Sequence, residues 1–274
     1  MGATNLQSRI LTALTLIPLT VAGVLYLSSA QFALVLGALW VLAAWEWSQL
    51  GGLQGQYRIL FSASLLPLLW VLWVWIDLFP PILWLGLLSL WWFGIAVLLL
   101  RISTIPTDPK PAIRVLLSAV PVLAGAWLAL VWLHRQIGPE WVLFLLILIW
   151  TADSAAYFSG RRWGRARLAP SISPGKTWAG LYGALLGAGL IGFVPLFWHH
   201  PSLGFGVLFI LLSMICAGVS ILGDLFESFL KRRRGLKDSG QLLPGHGGLL
   251  DRIDSLLAAA PVFALGIYWL EGRW

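Results

Sequence analysis

Residues 203–254 read LGFGVLFILLSMICAGVSILGDLFESFLKRRRGLKDSGQLLPGHGGLLDRID. From 203 to 226 the stretch is apolar except for Asp224 near its end. At about 1.5 Å per residue, a helix of this length crosses a hydrocarbon core of about 30 Å. Charge then arrives densely: Glu227, the run Lys231-Arg232-Arg233-Arg234, Lys237-Asp238, a glycine-rich turn, Asp251 and Asp254. A second apolar run follows at 255–270. Two apolar runs joined by a strongly basic segment read as membrane helices that meet on the cytoplasmic side.

The rest of the chain agrees. Of 274 residues, 59% are hydrophobic and only 11% charged, against roughly 25% charged in soluble domains. A soluble core cannot absorb that much apolar surface, so lipid is the solvent. Nine apolar runs have the right length: 10–28, 31–50, 59–76, 82–100, 115–133, 140–159, 178–198, 203–226 and 255–270. With the N-terminus inside, all of the 18 lysines and arginines except Arg135 and Arg273 fall on the cytoplasmic side, the asymmetry expected of a correct count. The expectation is an all-α integral membrane protein of about nine transmembrane helices, N-terminus cytoplasmic and C-terminus outside. It forms one polytopic domain over 1–274, with its chemistry in 140–274. Tryptophans near span ends (Trp40, Trp47, Trp91, Trp141, Trp178, Trp198, Trp269) suit interfacial anchoring. Arg9, an apolar run and Ser28-Ser29-Ala30 faintly resemble a signal peptide, but the run is longer than a signal core and reads as a retained span. Cys216 alone supports no intramolecular disulfide or cysteine zinc site. The net charge of +7 is explained by basic cytoplasmic loops, and no nucleic-acid-binding module accompanies it.

Two loops, 160–177 and 227–254, share the cytoplasmic side. Asp224, Glu227 and Ser228 lie at i, i+3 and i+4, on one helix face. Asp251 and Asp254 stand three apart where the last span begins. Between them lie five cationic residues and His246 in a Pro-Gly-His-Gly-Gly turn. Carboxylates beside dense positive charge are what a metal–polyphosphate site requires, and oxygen ligands suit Mg²⁺. Taken alone, Lys231–Arg234 read as a positive anchor for lipid headgroups. Carboxylates at a membrane boundary are costly and usually functional, which favours a functional role for Asp224 and Asp251. Elsewhere, Ser173, Lys176 and Thr177 precede a helix N-terminus, which favours anions. An N-cap and anchor role is equally open for Ser173 and Thr177, while Lys176 points to a substrate phosphate. Gly175-Lys176-Thr177 imitates the end of a P-loop, but Pro170 stands where that loop needs glycine. Asp153 either borders the site, with Tyr157 one turn on, or pairs with Arg161 or Arg162. Glu46, inside the second span, suits a structural hydrogen bond or ion pair. His199 and His200 fall on the outer side.

Ser228, Lys231-Arg232, Lys237-Asp238, His246-Gly247-Gly248 and Asp251-Arg252-Ile253-Asp254 span 27 residues. This segment resembles, without departure, the signature of the phosphatidate cytidylyltransferases (CDP-diacylglycerol synthases). Asp153-Ser154-Ala155-Ala156-Tyr157, Gly160-Arg161 and Ser173-Pro174-Gly175-Lys176-Thr177-Trp178 are similar to the family's upstream pattern. There, Gly175 replaces an expected second lysine and Ala179 an expected acid. The resemblance covers 150–265, and the first half matches mainly in hydrophobic architecture.

The resemblance implies transfer of a cytidylyl group from CTP to phosphatidic acid at the inner (plasma) membrane, with the active site facing the cytoplasm. It implies Mg²⁺ on Asp224 and Asp251 with Asp254 in support, and a second cation such as K⁺. Lys176, Lys237, His246 and Arg252 become candidates for gripping phosphates. Gly247 and Gly248 would bring backbone N–H groups close to an anion, and Ser228, Lys231 and Asp238 join the substrate site. Membrane lipids and a homodimer complete the implied partners. The alternatives are a cytidylyltransferase or kinase acting on an isoprenoid lipid, and a transporter. The transporter is disfavoured because the charges gather at one interface of one half. A CDP-alcohol phosphotransferase needs an Asp-Gly motif that the chain lacks.

Overall fold

Lipid offers no hydrogen bonds, so a spanning backbone must satisfy itself within a helix. The computed structural model describes residues 2–108, 110–199, 202–242 and 247–270. Its helices are α1 (Gly2–Tyr26), α2 (Ser29–Leu50), α3 (Gln56–Trp75) and α4 (Pro81–Leu100). They continue with α5 (Ile113–Ile137), α6 (Pro139–Trp163), α7 (Trp178–Gly192), α8 (Leu203–Arg233) and α9 (Leu250–Leu270). Seven of them, α2 to α6, α8 and α9, are long and apolar enough to cross a membrane. The apolar part of α1, Leu14–Tyr26, and α7 are shorter. The chain is a helical integral membrane protein. His200 and Arg273, and the side chains of Arg9, Trp198 and His199, lie outside the described residues.

Ser28 is the N-cap of α2. It accepts from the Gln31 N–H while the Gln31 side chain takes the Ser28 N–H, a capping box that starts α2. In α5, π-helical turns at Val120–Ala124 and Leu133–Ile137 interrupt the regular ladder. On the far side from the carboxylates, Arg135 pairs with Asp77 at 2.7 Å. That pairing supplies a partner for one of the two basic residues that broke the charge asymmetry.

Three expectations need correction. The segment 227–254 is not one loop: α8 continues two turns beyond 226 to Arg233, and α9 begins at Leu250. A cationic last turn complements the helix dipole, and Glu227 and Lys231 stand at i, i+4. The loop 160–177 holds an antiparallel hairpin, β1 (Arg167–Ala169) and β2 (Ser173–Thr177), that an all-α reading omitted. Trp40, Trp47 and Trp141 are buried rather than interfacial. Two of these indoles donate across the bundle, Trp40 to the Leu123 carbonyl at 2.6 Å and Trp47 to the Val115 carbonyl at 2.8 Å. Together they fasten α2 to α5. Trp178 and Trp269 are exposed, as an interfacial role requires.

In the second half, α6 packs on α7, α7 on α8 and α8 on α9. Small residues on α7 admit close approach, and a Cβ on Gly187 would stand 2.9 Å from that of Ala155. Helix α9 also packs against α4 and α5, joining the two halves. The charged ends of α2, α6, α8 and α9 and the hairpin therefore gather at one end of the bundle.

Candidate active site

The site begins with a close helix crossing. A Cβ on Gly223 would collide with the Asp254 carbonyl and stand 3.0 Å from Ala258 Cβ. Glycine there lets α8 lie against the first turn of α9, which places Asp224 beside Asp254. Strand β2 brings Lys176 to the same point: its Nζ is 2.5 Å from Asp224 Oδ2. Ser228, one turn along α8, donates to Asp224 Oδ1 at 3.2 Å. The charges of Lys176 and Asp224 both reach Asp153 on α6, and both reach Asp254. Four elements thus converge around one lysine.

Asp251 forms the other end. Lys231 donates to its Oδ1 at 2.6 Å. Its Oδ2 accepts from the Ser239 N–H at 3.0 Å, the Ser239 hydroxyl at 3.0 Å and the Gly248 N–H at 2.8 Å. Lys231 also stands 3.5 Å from Glu227 Oε2. Glu227 is buried, and no backbone, hydroxyl or ammonium donor among the described residues hydrogen-bonds its oxygens; its side-chain partner is the carboxyl of Asp254. Asp254 lies within its electrostatic reach. A chain of four carboxyl groups, Asp224, Asp254, Glu227 and Asp251, therefore lies beside two ammonium groups, Lys176 and Lys231.

Glu46 anchors the turn from the opposite side. It is 3% exposed and accepts from the Leu249 N–H at 3.0 Å, the Leu250 N–H at 2.8 Å and the Ser239 hydroxyl at 3.3 Å. It caps the first turn of α9 from α2, where backbone donors would otherwise be unpaired. The two glycines now have concrete reasons. A Cβ on Gly248 would collide with Ser239 Oγ and stand 2.6 Å from Glu46 Oε2. Gly247 adopts φ +81°, and a Cβ there would stand 2.9 Å from Asp251 Oδ2. The anion that the Gly248 N–H approaches in this structure is Asp251.

The structure thus assembles Asp153, Lys176, Asp224, Ser228, Lys231, Gly247, Gly248, Asp251 and Asp254. Asp153 makes no ion pair with Arg161 or Arg162; Arg161 donates instead to the Tyr157 hydroxyl at 3.0 Å. Thr177 is the N-cap of α7, its buried hydroxyl accepting from the Gly180 N–H at 3.1 Å. Ser173 pairs with Ala169 in the hairpin. Lys237 and Asp238 are exposed and line a separate cavity of about 590 Å³ with Trp45 and Arg58. Arg252 is exposed, and His246 lies outside the described residues. Glu46 makes the structural hydrogen bonds expected of it, and Ser239 is the contributor that sequence reasoning missed. Glu46 gave a signal, as the only acidic residue in the first 76.

The donor set fits a divalent cation. Every candidate ligand is a hard carboxylate oxygen, the buried Glu227 and Asp254 carboxyls lie against each other, and an ammonium already rests on Asp224. Among the described residues, no three such groups converge on a single point as they stand.

The sequence pattern of the cytidylyltransferase family matches residues 7–270. The chain belongs to that family. Its relatives include a phosphatidate cytidylyltransferase of Pseudomonas aeruginosa, 40% identical over 97% of this chain and 98% of the relative. The enzyme of the same name from Haemophilus influenzae is 38% identical over 94% of this chain and 97% of its own length. One from Thermotoga maritima is 41% identical over 51% of this chain and 53% of its own.

Proposed function

We propose that this family member is a phosphatidate cytidylyltransferase, transferring the cytidylyl group of CTP to phosphatidic acid to give CDP-diacylglycerol and pyrophosphate. The observation that carries the reading is the Lys176–Asp224 contact beside Asp254 and Glu227 at the charged end of an apolar bundle. In this reading a soluble polyanion meets the lipid headgroups at that end.

The reaction asks for little general-base help. A phosphate monoester with a second pKa near 6 is already largely anionic at neutral pH. One of its oxygens attacks the α-phosphorus of CTP, the bond to the β-phosphate bridging oxygen breaks, and pyrophosphate leaves with that electron pair. The barrier lies in bringing two polyanions together and in charge on the leaving group. Lys176, carried by β2, would exchange its carboxylate partner for a phosphate, with Lys237 and His246 from the signature loop and Arg252 from the first turn of α9 gripping phosphates. Asp224 and Asp251 would hold Mg²⁺ with Asp254 in support, beside a second cation such as K⁺, supplying charge neutralisation at the phosphates. Asp251 is oriented for this by Ser239 and Gly248, and Glu46 fixes the turn that carries both.

The finer topology belongs to this proposal. Nine spans, N-terminus cytoplasmic and C-terminus outside, put the site on the cytoplasmic face of the inner membrane, and the distribution of lysine and arginine supports that orientation. A homodimer is carried by the family resemblance.

Purified protein given labelled CTP, Mg²⁺ and a panel of lipid acceptors should release pyrophosphate with phosphatidic acid. Turnover with an isoprenoid phosphate or alcohol in its place would reassign the substrate. Ion or solute flux in proteoliposomes without CTP turnover would make the chain a transporter.

A further inference from the structure

Arg58 and Arg234 are half-buried guanidiniums that make no ion pair with any described carboxylate, in contrast to Arg135 and Arg233. Both are nevertheless held firmly by neutral groups. Arg58 donates to Ser48 Oγ at 3.2 Å and to the Trp45 carbonyl at 3.0 Å, and its Cζ lies 4.1 Å over the Trp45 ring. Arg234 donates to the carbonyls of Asp108 at 2.9 Å and Lys110 at 3.3 Å. Its guanidinium passes over Gly52, where a Cβ would stand 3.1 Å from Nη1.

The two arginines line one cavity of about 300 Å³ with Gln49 and Gln54, and among the described residues no acidic side chain borders it. The neighbouring cavity of about 590 Å³ shares Arg58, Gln49 and Leu236 and adds Lys237 together with the acidic Glu46 and Asp238. Glu46, whose charge reaches Arg58, has both oxygens engaged by Ser239, Leu249 and Leu250. Partly desolvated cations without a carboxylate in direct contact are costly. Two forks pinned in fixed orientation match the oxygens of a phosphate.

We propose that Arg58 and Arg234 form a phosphate-binding site separate from the Asp224–Asp251 cluster and independent of divalent metal. Its ligand class is a phosphate-bearing molecule, either a lipid headgroup at the inner surface or the phosphate chain of a soluble nucleotide. The cavity adjoins the cytoplasmic ends of α2, α3 and α8, where both sources arrive.

The test is binding in EDTA, so that sites requiring a divalent ion are silent. The full chain in phosphatidylcholine nanodiscs is equilibrated with radiolabelled CTP in one arm. In the other, labelled phosphatidic acid is added to the nanodiscs and CTP is omitted. Retention in the first arm assigns a nucleotide, in the second a lipid, and in both a site for phosphate as such. Loss of a charge-assisted contact should weaken binding about tenfold in Arg58→Gln or Arg234→Gln and about a hundredfold in the double variant. Arg101→Gln, an exposed control, should bind as the parent does. Should the double variant fail to fold, Arg234→Gln decides, because it gives up only two loop carbonyls. No metal-independent retention by the parent chain, or unchanged retention in folded Arg234→Gln, overturns the proposal. Either result leaves the assignment of Asp224 and Asp251 untouched.

Discussion

Asp224 and Asp251 sit at the two ends of one carboxylate cluster, yet the fold surrounds them differently. Asp251 takes four donors: a lysine, a serine hydroxyl and two backbone N–H groups. Asp224 has one serine and one lysine, the latter delivered by a hairpin rather than by the helix bundle. An aspartate embedded in its own turn has its direction decided before substrate arrives. One balanced by a single ammonium can exchange that partner for another cation. The comparison assigns Asp251 to preorganisation and Asp224 to exchange.

The strongest way to break this assignment is to neutralise each in turn. Asp224→Asn should lower CTP-dependent pyrophosphate release by about a thousandfold, as loss of a ligand to the cation that neutralises transition-state charge does. Its melting temperature should hardly move. Asp251→Asn should lose activity comparably and also destabilise the protein by about 2 kcal/mol, because Lys231 and the Ser239–Gly248 turn lose a charged acceptor. Equal melting temperatures for the two variants would abolish the distinction. Substantial activity in both would remove them as metal ligands.

Glu46 sharpens the same contrast, since it touches the Asp251 end only. Glu46→Gln keeps the size but weakens acceptance from Leu249, Leu250 and Ser239. Outer residues that orient ligands typically change metal affinity or activity ten- to a hundredfold. The expected result is that the Mg²⁺ concentration for half-maximal rate rises about tenfold, while the KM for CTP at saturating Mg²⁺ changes little. A shift in stability with no shift in Mg²⁺ dependence would make Glu46 a fold residue alone.

Lys176→Ala probes the other end. If the ammonium leaves Asp224 to meet a phosphate, kcat/KM should fall about tenfold, the worth of one charge-assisted contact. Unchanged kinetics would make Lys176 a counter-ion or lipid anchor.

The contrast also explains which parts could be read from sequence. Apolar runs declare themselves because lipid imposes its demand on every residue of a span in order. Asp224 and Asp251 stood out because carboxylates at a membrane boundary are rare. Their partners were less legible. Glu46 was conspicuous as a lone acid, but nothing local reveals that it caps a helix starting at Leu250. The hairpin was hidden by Pro170 and Gly175, residues that read as loop. The last turns of α8 were hidden by a basic run that suits a helix end and a solvated loop alike. Trp40 and Trp47 misled because an indole N–H finds a partner equally at the lipid interface and on a buried carbonyl.

The smallest effect expected is also the most local. Gly175 departs from the family pattern, and a Cβ placed there meets nothing within 4 Å, so the fold imposes no steric need for glycine. Gly175→Lys should therefore leave the melting temperature nearly unchanged. The added ammonium is exposed, next to Lys176 on β2, and neighbouring strand residues point to opposite faces. It can attract a polyanion without taking part in the Lys176 contact. Exposed charge interactions are worth up to about 1 kcal/mol, which allows at most a few-fold decrease in the KM for CTP. Such an effect must fade as ionic strength shortens the screening length. A gain that survives high salt would mean that the new lysine reaches the phosphates directly, and the hairpin would then deliver cations from both of its faces.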